Sequence, residues 1–305
     1  MRVVSLLPSA TEICYALGIE PVGVSHECDY PPAARAKPAV NDVRIDPDTD
    51  SASINEQVAA AEQGEGIYEI DADLLESLDP DVVITQGLCD VCAVDQILVA
   101  DVLDARGIDA EVVTTDTHSL ADLYEDIREI GAATGHGERA AALVADLQSR
   151  IETLRNRTVA IGDWPSVAVF DWMDPVMVAG HWVPELAAAA GGRYPLMETG
   201  KHSRPWEWAE IRASDPDVIV VAPCGFDLDQ TRENLPDLTD RPGWSDLTSV
   251  RNDRVYLLDG HHYVNRPGPR LIETGEHLAG LVHPDEFESP PGDVAMSVRN
   301  TTAKK

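Results

Sequence analysis

Lysine is almost missing from this chain. Only Lys37, Lys201, Lys304 and Lys305 occur, and 54 acids against 23 lysines and arginines leave a net charge of −31. A field of that sign repels polyanions, which excludes nucleic acid and anionic membrane as partners. Aromatics are also few: three Phe, seven Tyr and six Trp in 305 residues. No apolar run approaches the roughly 18 residues of a membrane span. The opening run Met1-Arg2-Val3-Val4-Ser5-Leu6-Leu7 is too short for the apolar part of a secretory signal, and Pro8 closes it. The expectation is a cytoplasmic protein as written, or an extracytoplasmic one if an export signal has been removed. Five cysteines (Cys14, Cys28, Cys89, Cys92, Cys224) make an odd set, unlike a secreted disulfide framework. A phosphate-binding GxxxxGK[ST] loop, a GxGxxG turn after a strand, a GxSxG elbow and an HExxH pair are all lacking. With them go the commonest nucleotide, dinucleotide, hydrolase and zinc-protease chemistries, and the expectation is a protein that is not an enzyme.

What is present is a phrase said twice. Asp79-Pro80-Asp81-Val82-Val83-Ile84 returns as Asp215-Pro216-Asp217-Val218-Ile219-Val220. Each copy follows a short helical pattern and opens a β-branched run. The repeat points to two similar α/β lobes, for which the length suffices. Clefts between such lobes are where small ligands bind. The acids are spread along the chain with apolar runs between them. That pattern belongs to a folded domain with an acidic coat, the expectation for a halophilic, acidic proteome in which salt screens the self-repulsion.

Residues 2–7 read as a buried strand. Ser9 and Glu12 stand at capping-box spacing, so Ser9 is expected to cap a helix rather than act as a nucleophile. Val22-Gly23-Val24 is the next strand. A helix over 71–78 feeds the strand 82–85, and a helix over 96–105 precedes a strand over 110–114. The spacing predicts a helix over 119–133 and a longer one over 138–157, with Ala141, Val144, Leu147, Ile151 and Leu154 on one stripe. The second half repeats the plan, with strands 167–170, 218–222 and 255–258 and helices 184–190, 206–213 and 269–281. Such alternation implies parallel sheets covered by helices. The expected division is a lobe over 2–117, connecting helices over 118–158, a second lobe over 159–284 and a mobile tail over 285–305.

Ligands of open α/β sheets bind beyond the carboxyl ends of the strands. The loops expected there hold Ser9, His26 to Tyr30, Gln86 and Gly87, Trp172, Gly180-His181-Trp182, His202 to Trp206, Phe226 and His261-His262-Tyr263. Aromatic walls with a few polar groups suit a large, flat, partly apolar ligand. The expected contacts are Ser9, Tyr30, Gln86, Gly87, Trp172, Trp182, Trp206, Phe226, His262 and Tyr263. The competing reading puts the same aromatics in the lobe cores. Cys89-Asp90-Val91-Cys92 is a CxxC that admits a structural role, a metal contact or a redox pair. No second CxxC completes a zinc site.

Arg2 to Glu12, then Ala16-Leu17-Gly18, then Val22-Gly23-Val24-Ser25 with Cys28-Asp29-Tyr30-Pro31-Pro32 resemble the opening of the vitamin B12-binding proteins of ABC importers. Arg254-Val255-Tyr256, Arg266-Pro267-Gly268-Pro269-Arg270 and the doubled phrase resemble the same family, over roughly residues 2–283. The wider helical-backbone group also includes iron-siderophore and haem binders. The resemblance implies two Rossmann-like lobes joined by one long bridging helix, with cobalamin or another tetrapyrrole or metal chelate as bound ligand. It implies no required cofactor, a monomer, and an ABC permease as partner. Tyr30 matches a position that touches corrin, and Gln86-Gly87 a loop that faces ligand. Asp73 fills the first of two acidic positions that dock the transporter. The second falls on Ala209, with Glu207 and Glu210 beside it, and Glu210 is the nearest substitute. The alternatives are a haem or iron-chelate binder, or an intracellular metal or redox protein using Cys89 and Cys92.

Overall fold

The structure is a computed structural model and describes residues 1–47, 49–62, 66–87, 94 and 96–299. Cys89 and Cys92 lie outside the described residues. The chain divides into two compact units, Met1–Leu147 and Gln148–Lys305. The boundary falls inside one long helix.

In the first unit the strands are β1 (Val3–Ser5), β2 (Gly23–Ser25), β3 (Ala39–Val43), β4 (Tyr68–Ile70), β5 (Val82–Gln86) and β6 (Glu111–Thr115). They form one sheet in the order β4-β3-β2-β1-β5-β6, parallel except for β4. The helices are α1 (Pro8–Ala16), α2 (Ser51–Glu62), α3 (Ala72–Leu78), α4 (Gln96–Arg106) and α5 (Leu120–Ala133), and α6 (Gly137–Ile161) contains the boundary between the units. The inner strands β1 and β5 carry Val3, Val4, Val82, Val83 and Ile84, all almost fully buried. Burial on both faces is what a parallel strand requires.

Helix α1 corrects the expectation for Ser9. It starts two residues earlier, with Leu7 as cap and Pro8 at the first helical position, and no side chain caps it. Proline suits that position because its fixed φ is helical and its missing N–H needs no partner there. Ser9 is buried inside the first turn. Capping does hold at Ser119, whose hydroxyl accepts the Asp122 N–H at the start of α5, and at Asp71, which caps α3.

Helix α6 runs 25 residues, about 37 Å at 1.5 Å per residue. Its buried stripe is Ala140, Val144, Leu147, Ile151 and Leu154. The stripe begins at Ala140 rather than Ala141, which is exposed, because steps of four and three keep one face.

In the second unit the strands are β7 (Val167–Met173), β8 (Val176–Val178), β9 (Arg204–Pro205), β10 (Val218–Val221), β11 (Val255–Leu258) and β12 (Ala295–Ser297). Their order is β12-β11-β10-β7-β8-β9, with β7, β10 and β11 parallel and the others antiparallel. The helices are α7 (Val183–Ala189), α8 (Trp208–Ser214), α9 (Leu228–Glu233), α10 (Pro236–Thr239), α11 (Thr248–Arg251) and α12 (Leu271–Val282). Strand β12 lies in the stretch read from sequence as a tail, and it closes on β11 through Tyr256, Leu257 and Leu258.

The doubled phrase has one physical meaning in both units. Asp79 and Asp215 end α3 and α8 in the left-handed conformation, at φ 46° and 40°. Asp and Asn tolerate that region better than most residues. Proline then prevents the helix from continuing. The second aspartate ties the new strand to its neighbour: Asp81 accepts the Arg2 N–H at 2.6 Å, and Asp217 accepts both the N–H and the hydroxyl of Ser166 at 2.7 Å. The registers match, Val82 facing Val3 and Val218 facing Val167.

Candidate functional site

In the first unit the loop from β2 to Tyr30 is fixed from below. Thr11 on α1 donates its hydroxyl hydrogen to Ser5 at the end of β1, at 2.9 Å. Its oxygen lies 3.1 Å from Cys28 Sγ. Thr11 has one hydrogen and spends it on Ser5, so the thiol is the donor to Thr11. Burial and the neighbouring Cys28 push the Cys14 thiol up to about 12, so Cys14 remains an inert neutral thiol. Asn41 on β3 donates its amide hydrogen to His26 Nδ1 at 3.2 Å. The loop so held ends at Tyr30, a large side chain that keeps 43% of its surface exposed. Gln86 ends β5 in a buried position and Gly87 is exposed. The acids Glu27, Asp29 and Asp116 stand in the loops after β2 and β6, and the first cation after β2 is Arg35, whose guanidinium is 3.7 Å from Asp29.

In the second unit four of the expected residues meet around one turn, Gly260–Val264, at the carboxyl end of β11. It is a π turn, a form often found at functional sites. Gly260 is required there, since a Cβ would stand 2.1 Å from the Pro223 carbonyl oxygen. His261 N–H donates to the Phe226 carbonyl at 3.0 Å. Trp182 Nε1 donates to the Val264 carbonyl at 2.9 Å. Both Trp182 and Phe226 are buried, so their rings serve the core and their polar atoms anchor the turn. Trp172 packs against Phe226 at 5.2 Å between ring centroids and stays partly exposed.

The two histidines of the turn are held differently. Arg266 donates to His261 Nε2 at 2.7 Å. A guanidinium has no acceptor, so Nε2 of His261 is the accepting atom in this contact. His262 places Nδ1 2.7 Å from Asp259 Oδ2, and its backbone N–H donates to Oδ1 at 2.8 Å. Asp259 thereby fixes the orientation of the His262 ring through Nδ1. Tyr263 lies under the Arg270 guanidinium at 5.2 Å and beside His277 at 5.3 Å. Burial raises the phenol of Tyr263 and lowers the imidazolium of His277 from their ordinary values.

Trp206 stands apart from this turn. Arg204 covers its ring at 4.1 Å, and its indole N–H is buried without a hydrogen-bond partner. Asp73 sits in the first turn of α3, paired with Arg106 at 2.5 Å. Glu210 is exposed in the first turn of α8. Asp73 and Ala209 are the second residues of matching helices, each six before a left-handed aspartate, so the two units are not symmetric in charge there. Sequence reasoning missed Asn41, Asp259, Arg266 and Arg270. Asp259 was detectable, since it precedes His262 by three residues at a strand end.

The sequence pattern of the family described as periplasmic binding protein matches residues 3–261. The chain belongs to that family. Among relatives of this binding protein, an uncharacterized ABC transporter substrate-binding lipoprotein of Bacillus subtilis is 26% identical over 94% of this chain and 81% of its own length. A vitamin B12-binding protein of Vibrio cholerae is 22% identical over 91% of this chain and 87% of its own. A periplasmic heme-binding protein of Pseudomonas aeruginosa shares the fold, with a TM-score of 0.71 at 20% identity over 97% of both chains. Among the described residues of this binding protein, no helix is long and apolar enough to cross a membrane.

Proposed function

We propose that this chain is the substrate-binding protein of an ABC-type system and that its ligand is a corrinoid of the cobalamin kind. The observation that carries the choice is the charge of the strand-end loops in the first unit. Glu27, Asp29 and Asp116 outnumber the one arginine there, Arg35, which pairs with Asp29, so the loops keep a negative surplus, and Tyr30 offers an exposed aromatic face. Haem carries carboxylates on its rim, which such loops repel. A corrinoid carries neutral amides, which they do not. Within the second unit by itself, Trp172 and Tyr263 are partly exposed rings of the kind on which a flat macrocycle stacks. The relation to the vitamin B12-binding protein supports the same ligand class. Gel filtration with cyanocobalamin, followed at the corrin absorption band, tests the reading. Coelution of one corrinoid per chain is expected, and elution of all the dye as free ligand would refute it.

The Asp259–His262 pair favours a second reading, a haem or iron chelate whose metal takes an imidazole nitrogen. Under that reading hemin gives a shifted Soret band that His262→Ala abolishes. Asp73, with Glu210 as the nearest acid on α8, would serve docking to a permease. Charge reversal at Asp73 should lower transport while leaving ligand affinity unchanged.

A further inference from the structure

His181 and His202 lie beside the expected contacts Trp182 and Trp206 but are not themselves among the expected ligand contacts. They come from either side of α7 in sequence and meet edge to face, 5.0 Å between ring centroids. Three backbone constraints bring them together. His181 N–H donates to the Lys201 carbonyl at 2.6 Å, and its own carbonyl accepts the Gly200 N–H at 2.9 Å. Gly180 N–H donates to the Ser203 hydroxyl at 2.9 Å. The residues on both sides of His202 are therefore pinned to His181 and its neighbour. The approach is close enough that Gly180 has no room for a side chain, since a Cβ would stand 2.1 Å from the Lys201 carbonyl oxygen. His181 itself is held at φ 51°, a conformation that costs energy in a residue other than glycine and persists only where its surroundings impose it.

We propose that the His181–His202 pair is a binding site for a divalent late transition-metal ion. The ligand nitrogens of the two rings lie within 4.8 Å of each other. A tetrahedral ion bound at about 2.0–2.1 Å needs its nitrogens about 3.4 Å apart, so the exposed His202 ring would turn inward on binding. Imidazole suits zinc, copper and nickel. His202 also lines an open pocket of about 610 Å³ with Tyr194, Leu196, Met197, Lys201 and Arg204, which leaves room for water to complete the coordination shell. Lys201 and Arg204 oppose a cation, but Arg204 is engaged over the Trp206 ring and the whole chain carries −31.

The test is calorimetric titration of untagged, chelator-stripped protein with zinc chloride. One zinc per chain is expected. His202→Ala, and His181→Asn chosen because Asn tolerates positive φ, should each weaken it at least about tenfold. His136→Ala, a histidine of the first unit, should leave it unchanged. Circular dichroism confirms that each variant is folded. No uptake at about 100 µM zinc, or uptake that survives both substitutions, overturns the proposal. The titration contains no tetrapyrrole, so its outcome is separate from that of the corrinoid reading.

Discussion

Asp171, at the end of β7, is an acid with one oxygen shut away from solvent and without a hydrogen-bond partner. Burial pushes its carboxyl up to about 6, against a hydrogen bond from Ser203 that pulls the other way. The folded value lies above the unfolded one. The cost of holding the ionised form is therefore absent below about pH 4, grows as pH rises, and is complete above about pH 6. Asp171→Asn should raise stability at pH 7.5 by about 2 kcal/mol and leave it nearly unchanged at pH 4, measured by urea unfolding at both values. Tyr30 and Trp172 test contact rather than stability. Replacing either by Ala should weaken corrinoid binding about tenfold without moving the melting temperature. At this scale the sequence announced the aromatics but not their surroundings. Trp182 and Phe226 look like Trp172 in the sequence, yet they are buried, because the turn at Gly260–Val264 takes their polar atoms. Ser9 and Glu12 had the right spacing for a cap, but Pro8 claims the first helical position.

The element that best explains the sequence is the join between α3 and β5, repeated between α8 and β10. Asp217 holds the amide and the hydroxyl of Ser166, and that bonding lowers its carboxyl below the usual range. A lowered folded value contributes stability above the unfolded pKa, and that stability is lost as pH falls through the folded one. Asp217→Ala should thus cost about 2 kcal/mol at pH 7 and progressively less toward pH 2, read from urea midpoints. The central strands were legible because their β-branched runs need burial on both faces. The strands β3, β4, β8, β9 and β12 were not. They are two to five residues long, lie away from the sheet centres, and owe their conformation to a neighbour rather than to their own pattern.

For the whole molecule, the net charge of −31 is the dominant physical fact. Its acids lie along the entire chain, so self-repulsion acts on both units and falls as salt shortens the screening length. The melting temperature should therefore rise steadily from dilute buffer to molar potassium chloride, and a flat response would contradict this. The division into two units was legible in the doubled phrase. The boundary between them falls inside α6, which carries one continuous apolar stripe. Ligand choice also belongs to this scale, since it depends on the sign of the loops that end each sheet. Parallel calorimetric titrations with cyanocobalamin and with hemin decide it. The account expects cyanocobalamin to bind with micromolar or tighter affinity, one per chain, and more tightly than hemin. Tight binding of hemin with no heat from cyanocobalamin would contradict it.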